Sequence, residues 1–368
     1  MGGSAMNRLF DRKKMTYFPL ATRKNKVSIK DACVDPYDQS IVIDSSLQER
    51  TDLIAKQILD ARNVGASVMC AFGAHTIKNG MGRLLGMMVE KGWLTHLATN
   101  GAAVIHDWEF AFQGFSSEDV KANVIEGKFG TWEETGLYLN LALAIGAFEG
   151  LGYGQSIGAM IHNNGLSIPT RADLLSTSKD EDVPASKRAA ALDLLEVLDV
   201  LDLSQGFLPI DHPFASYSVQ KKCYVKQIPC TSHPMFGHDI IYTHKANHGA
   251  AIGRVAERDF LTFVENLSHL EHGVYLSVGS AVMSPMIFEK SLSMVRNSGV
   301  AVNNCAIHVV DLQRESWDWS KGEPPVDNPA YYLRFMKTFS RMGCHADYMS
   351  ADNKAFFVSL YRSLEERS

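Results

Sequence analysis

Apolar and polar positions along this chain alternate between two kinds of segment. Leu47, Leu53, Ile54, Ile58 and Leu59 recur at helical spacing, with Ser45 or Ser46 placed to cap the helix and Gly65 to stop it. The run from Ala66 to Phe72 is almost wholly apolar and bounded by Gly73, which suits a short strand buried on both faces. A helix from about Asn79 to Lys91, a second run from Leu94 to Ala98 and a helix starting near Ala103 continue the alternation. It returns with strands at 223–225 and 239–242, a helix at 257–270 and a strand at 274–278. A helix at 285–297, a strand at 305–312, a helix at 329–341, a strand at 346–349 and a last helix complete it. Repeated β-α-β units of this size predict an α/β fold, doubly wound around a parallel sheet.

Two stretches depart from that rhythm. Residues 1–44 are basic and polar without a periodic apolar face, and read as an N-terminal arm preceding a single domain over 45–368. Between about Ser116 and Leu203 the strand signal vanishes, and the segment reads as a helical insertion packed on the sheet's edge or on another subunit. Composition adds exclusions. With 46% hydrophobic and 21% charged residues the chain is globular rather than disordered, and a net charge of -5 argues against a broad nucleic-acid-binding surface. No apolar run is long enough to span a membrane, and Met1 to Lys14 lacks the apolar core of a secretory signal. The six cysteines are scattered without CxxC spacing, so they are expected to be reduced thiols of a cytoplasmic protein.

In a doubly wound sheet, ligands bind beyond the carboxyl ends of the strands, so the residues just after each strand carry the candidate chemistry. Gly73 and His75 open the segment Gly73-Ala74-His75-Thr76-Ile77-Lys78-Asn79-Gly80, whose glycines allow close approach of a phosphate or ribose. Thr99, Asn100 and Gly101 follow the second strand and lead to His106 and Asp107, a candidate acid–base pair about one helical turn inside. Adjacent helical residues diverge by about 100°, so these two need not serve one atom. His233, His238 and Asp239 form a third cluster, open to hydrogen bonding with a polar substrate or to metal ligation, although the spacing matches no metal motif and no metal is assigned. Gly279 and Ser280 follow a later strand. The loop Trp317-Asp318-Trp319-Ser320-Lys321-Gly322-Glu323 offers aromatic rings and carboxylates, Trp317, Asp318 and Glu323 above all, for a cationic or sugar-like ligand.

These strand-end segments together resemble the deoxyhypusine synthase family and its bacterial relatives. The resemblance rests on Gly73 to Gly80, Thr99-Asn100-Gly101 leading to His106-Asp107, the turn from Ser232 to Gly237, Val278-Gly279-Ser280, and Ser350-Ala351-Asp352. It covers residues 45–115 and 220–366, and much less of the insertion. It implies a Rossmann-like sheet, NAD bound across the strand ends with Asp352 near its adenosine half, and a homotetramer. It also implies oxidation of a polyamine by hydride transfer, through an imine on an active-site lysine. That lysine's block is missing: Tyr331-Tyr332-Leu333-Arg334-Phe335 stands in its place, with Lys337 two residues on. Arginine cannot form the imine, because a guanidinium stays protonated.

The expected function is therefore an NAD-dependent enzyme of deoxyhypusine synthase type that transfers hydride from a polyamine or other small polar substrate, rather than deoxyhypusine synthesis itself. His106 or His238 would move the proton. The alternatives are a metal-dependent hydrolase using His233, His238 and Asp239, or a non-catalytic ligand-binding relative. A small-molecule substrate and copies of the chain itself are the expected partners, with neither nucleic acid nor membrane.

Overall fold

A computed structural model describes residues 9–315, 317–318 and 321–368. Its central element is a six-stranded sheet in which every pairing is parallel. Four further strands form two small antiparallel pairs: β1 (Asn25–Ser28) with β4 (Phe115–Glu118), and β5 (Gly165–Ile168) with β6 (Gly206–Pro209). The main sheet comprises β2 (Val68–Phe72), β3 (His96–Thr99), β7 (Cys230–Ser232), β8 (Val274–Val278), β9 (Ala306–Asp311) and β10 (His345–Ser350). Across the sheet they run β10-β9-β8-β2-β3-β7. Renumbered within the sheet this is the order 3-2-1-4-5-6, the doubly wound Rossmann-like arrangement, whose strand order reverses between β2 and β8.

The period of two in each strand divides the core. Val68, Cys70 and Phe72 of β2 face a cluster with Ile54, Ile58, Leu84, Phe357 and Leu360. Met69 and Ala71 face the opposite side with Phe263, Phe288, Leu292 and Phe339. All five β2 residues are buried, as the continuous apolar run requires. Helices Ser45–Asn63, Gly82–Glu90 and Asn353–Arg367 cover the first face, and helices Gly249–Ser268, Met283–Asn297 and Arg334–Phe339 the second. Each fully buried Leu, Ile or Phe in these layers contributes about 1.5–3 kcal/mol.

Several expectations need correction. Asp44, rather than Ser45 or Ser46, caps the first long helix by accepting from Leu47 N. The expected strand at 223–225 lies in the helix Val219–Lys226, and that at 239–242 is largely the 3-10 turn Ile240–Thr243. The strand between them is Cys230–Ser232, too short and too polar at Thr231 and Ser232 to stand out in the sequence. The insertion is mainly helical, around Trp108, Leu141, Tyr153 and Leu194, but it also holds β5 and part of β4. The segment read as an arm is tied in: β1 pairs with β4, and Leu20, Arg23, Ile29 and Val34 are buried. Residues 1–8 of that segment lie outside the described residues. Among the described residues no helix is long and apolar enough to cross a membrane.

Candidate functional site

Two features occupy the carboxyl rim of the sheet. The first is the switch point itself. Gly73, after β2, and Gly279, after β8, lie against one another, so that a Cβ on Gly73 would overlap the Gly279 carbonyl oxygen. Gly279 adopts φ +57°, and a Cβ there would run into the Asn353 amide. Asn353 Oδ1 is buried without a hydrogen-bond partner. The rim here is a floor of backbone with one unsatisfied acceptor, a form that suits a ribose hydroxyl donor.

The second feature is a cavity of about 250 Å³ at the ends of β2, β3 and β7. Lys78, His106, Glu109, Ser117, Phe129, His238 and Asp239 line it, together with Arg23 from the N-terminal segment. His106 Nδ1 lies 2.7 Å from Ser116 Oγ, and Ser116 Oγ donates to Glu109 Oε2 at 2.6 Å. Arg23 holds Glu109 by two bonds, Nη1 to Oε1 at 2.8 Å and Nη2 to Oε2 at 2.6 Å, and Thr135 Oγ1 donates to Oε1 at 3.0 Å. Burial would raise the Glu109 pKa, but the Arg23 charge and these donors outweigh it and keep the carboxyl ionised below its ordinary range.

This chain of bonds fixes the histidine tautomer. Glu109, as a carboxylate, only accepts, so the single Ser116 hydroxyl proton is committed to it. Ser116 Oγ can then only accept from His106, which puts the imidazole proton on Nδ1 and the lone pair on Nε2. Burial lowers the His106 pKa, with Glu109 opposing, so the ring is a neutral base near pH 7. Ser117 beside it has φ +69°, a conformation rare for a residue with a side chain.

Asp239 closes the cavity over the start of helix Gly101–Gln113. A Cβ on Gly101 would collide with its Oδ2, an atom that is buried and has no hydrogen-bond partner. Burial pushes this carboxyl up to about 7. The hydroxyls of Tyr153 and Tyr242 are likewise buried and unsatisfied, and both phenols are raised by burial and by the Asp239 charge.

The remaining sequence candidates divide. Asp107 lies on the far side of its helix, accepting from Ser218 Oγ, Val219 N and Gln220 N, where it anchors the helix Val219–Lys226. Thr99 Oγ1 donates to Phe72 O, and Asn100 caps its own helix at Ala103 N. His75 is exposed, and Ser280 Oγ accepts from Ser284 N. Asp352 caps the last helix at Lys354 N and Ala355 N. His233 turns into the structure, 3.0 Å from Thr231 Oγ1 and edge-on to Phe263, while His238 is exposed at the cavity. Among the described residues no group of three or more His, Cys, Asp or Glu is placed to hold a metal ion, so nothing in the structure supports the hydrolase alternative.

The acidic loop belongs to the β9–β10 crossover, three strand spacings or about 14 Å along the sheet from β3. Trp317 Nε1 donates to Gly322 O, Asp318 lies 3.8 Å from Lys321, and Glu323 lies 3.6 Å from Arg341. Lys337 Nζ stands 3.7 Å over the Tyr331 ring. None of these four side chains lines the cavity. Trp319 and Ser320 lie outside the described residues. Sequence reasoning missed Glu109, Ser116, Arg23 and Asn353. Only Glu109 left a signal, three residues after His106 on one helical face.

Asp259 supports the same rim from beneath. Fully buried, it accepts from Ser232 N at 2.6 Å and Gly154 N at 3.1 Å, and burial raises it to about 7 from an ordinary 3.8. The folded chain then binds this proton more tightly than the unfolded chain does. Stability from this group is therefore full below about pH 4 and lost as pH rises towards 7, at up to about 1.4 kcal/mol per pH unit. Urea unfolding of Asp259→Asn should show that slope removed relative to the parent chain, and an unchanged slope would refute the assignment.

No protein family profile matches this chain, and no curated protein sequence matches it. Among solved structures, it is similar to ArgZ, an arginine dihydrolase from the ornithine–ammonia cycle in cyanobacteria, at 12% identity and a TM-score of 0.40. That match covers 87% of this chain and 33% of the other. AgrE in a ternary complex with ornithine and NAD+ matches at 13% identity and TM-score 0.42, over 89% of this chain and 34% of that one. A protein from Entamoeba histolytica described as a candidate deoxyhypusine synthase matches at 11% identity and TM-score 0.41, over 90% and 97%. The chain spans about a third of the length of the first two. At these values the likenesses carry no argument about activity. The class of the fold rests on the chain's own strand order.

Proposed function

We propose that this protein is an NAD-dependent oxidoreductase acting on a small polar alcohol or amine, polyamines included, held in the cavity beside His106. The observation that carries this reading is the His106–Ser116–Glu109 chain, which presents a neutral imidazole with its Nε2 lone pair available at a rim of Rossmann-like topology. The backbone at Gly73 and Gly279 and the unsatisfied Asn353 Oδ1 are the groups that would hold the dinucleotide. NAD, when bound, supplies the hydride acceptor. His106 Nε2 takes the proton from the substrate's O–H or N–H as the carbon is oxidised, and the proton on Nδ1 stays where Ser116 holds it. Asp239, unsatisfied at the cavity edge, pairs with a second polar group of the substrate and sets its orientation. No covalent lysine adduct is required.

The test is direct. Purified protein is denatured and any released nucleotide identified, and NAD is titrated into the emptied protein by calorimetry. Saturable binding is expected; no nucleotide together with no heat would end the proposal. Gly73→Ala forces the two turns apart, so it should weaken NAD at least about tenfold and cost roughly 1–3 kcal/mol of stability. Wild-type NAD affinity in a variant of unchanged circular dichroism would remove Gly73 from the nucleotide site. A scan of polyamines and polyols for NAD reduction then identifies the substrate class.

A further inference from the structure

The six cysteines are scattered in sequence, yet the fold brings four of them together as two pairs, Cys305 with Cys344 and Cys223 with Cys230. We propose that Cys305 and Cys344 form a dithiol modification site that closes to a disulfide across β9 and β10 when the protein meets a hydroperoxide.

The geometry comes from strand register. Ala306 pairs with His345, so the cysteine preceding each residue stands at the entry of adjacent parallel strands, and His345 N donates to Cys305 O at 3.1 Å. Neighbouring strands lie about 4.8 Å apart, inside the 4.4–6.8 Å range of Cα separations that a disulfide spans. That register sets Cys305 and Cys344 side by side, each one residue before its strand. Cys344 is partly exposed, whereas Cys305 lies buried behind it. The Cys305 thiol and the nearby Arg296 guanidinium pull the Cys344 thiol below its ordinary value against its burial, while Cys305 itself is raised. A partly exposed thiol whose ionisation is favoured, with a resolving thiol next to it, is the arrangement that peroxide-sensitive cysteines need. Cys223 and Cys230 share the proximity but not the access: both are buried, and Cys230 is raised well above the ordinary thiol value by Cys223 and by burial.

The chemistry balances. Cys344 Sγ gives up its proton and attacks the hydroxyl oxygen of the hydroperoxide, the O–O bond breaks, and the second oxygen takes up that proton and leaves as water or alcohol, giving Cys344 sulfenic acid. Cys305 Sγ attacks that sulfur, the S–S bond forms, and the hydroxyl leaves with the Cys305 proton as water. The two electrons lost by the thiols reduce the hydroperoxide. The pair sits at the amino-terminal ends of the strands, on the rim opposite the cavity, so the disulfide closes the crossover 306–343 into a covalent loop without touching His106.

The experiment treats the whole chain with one equivalent of hydrogen peroxide, blocks remaining thiols and maps peptides by mass spectrometry without reduction. A Cys305–Cys344 cross-linked peptide, reversed by dithiothreitol, is expected, with Cys223 and Cys230 still alkylatable after denaturation. In Cys305→Ser, Cys344 should instead accumulate as sulfenic acid, trapped by dimedone several-fold above wild type. The proposal is overturned if the wild-type protein forms no such cross-link, if Cys223–Cys230 links as readily, or if dimedone labels Cys344 equally with and without Cys305.

Discussion

His106→Ala should lower kcat/KM for NAD-linked oxidation by about 10²–10⁴-fold, the usual contribution of a positioned proton acceptor, with the fold retained. Retention is expected because the ring borders the cavity and its bond to Ser116 is replaceable by water. The pH profile is a second readout. Reaction through Nε2 needs the neutral ring, and burial holds the His106 pKa below 6.5. The acid limb of kcat/KM should therefore fall below pH 6.5, rising with pH to a plateau at neutrality. A profile unchanged between wild type and His106→Gln, or activity within a few-fold of wild type in the alanine variant, would show that another group moves the proton.

Arg23→Ala should be among the most destabilising single changes in the chain, costing about 3–5 kcal/mol in urea unfolding. Both side chains of the Arg23–Glu109 pair are only 1% exposed. Removing the guanidinium leaves a buried carboxylate whose remaining hydrogen-bond donors among the described residues are Ser116 and Thr135. The paired replacement Arg23→Met with Glu109→Leu removes both charges at similar volume, and it should recover most of that stability. It should not recover activity. Without Glu109, Ser116 is no longer committed as a donor, and His106 loses the bond pattern that holds its proton on Nδ1. If the double variant regained both stability and turnover, the chain from Glu109 to His106 would be a purely structural network.

How much of this was legible in the sequence follows from the range of the forces involved. The apolar run from Ala66 to Phe72 reads directly as a strand, since a strand buried on both faces has no polar position to spare. Cys230–Ser232 did not, because a three-residue strand carrying Thr and Ser is held in the sheet by its neighbour β3 rather than by its own pattern. His106 was legible as a candidate from its place one turn beyond a strand end. Its partner in sequence, Asp107, pairs instead with residues more than a hundred positions away, and nothing local indicates which of the two faces the cavity. The loop holding Trp317, Asp318 and Glu323 looked suited to a cation, but Lys321 and Arg341 already stand beside its carboxylates.

By itself the sequence determined the alternation of strands and helices, the parallel sheet and the glycine-bearing strand ends, because burial on two faces and tight βα turns leave local signatures. The tertiary structure alone decided that Gly73 meets Gly279 across the point where strand order reverses. It also decided that Arg23, from a segment without any periodic signal, fixes the protonation of a histidine 83 residues away through Glu109 and Ser116. Those contacts join groups far apart along the chain, and long-range electrostatic and hydrogen-bond partners leave no mark on the local pattern of either residue.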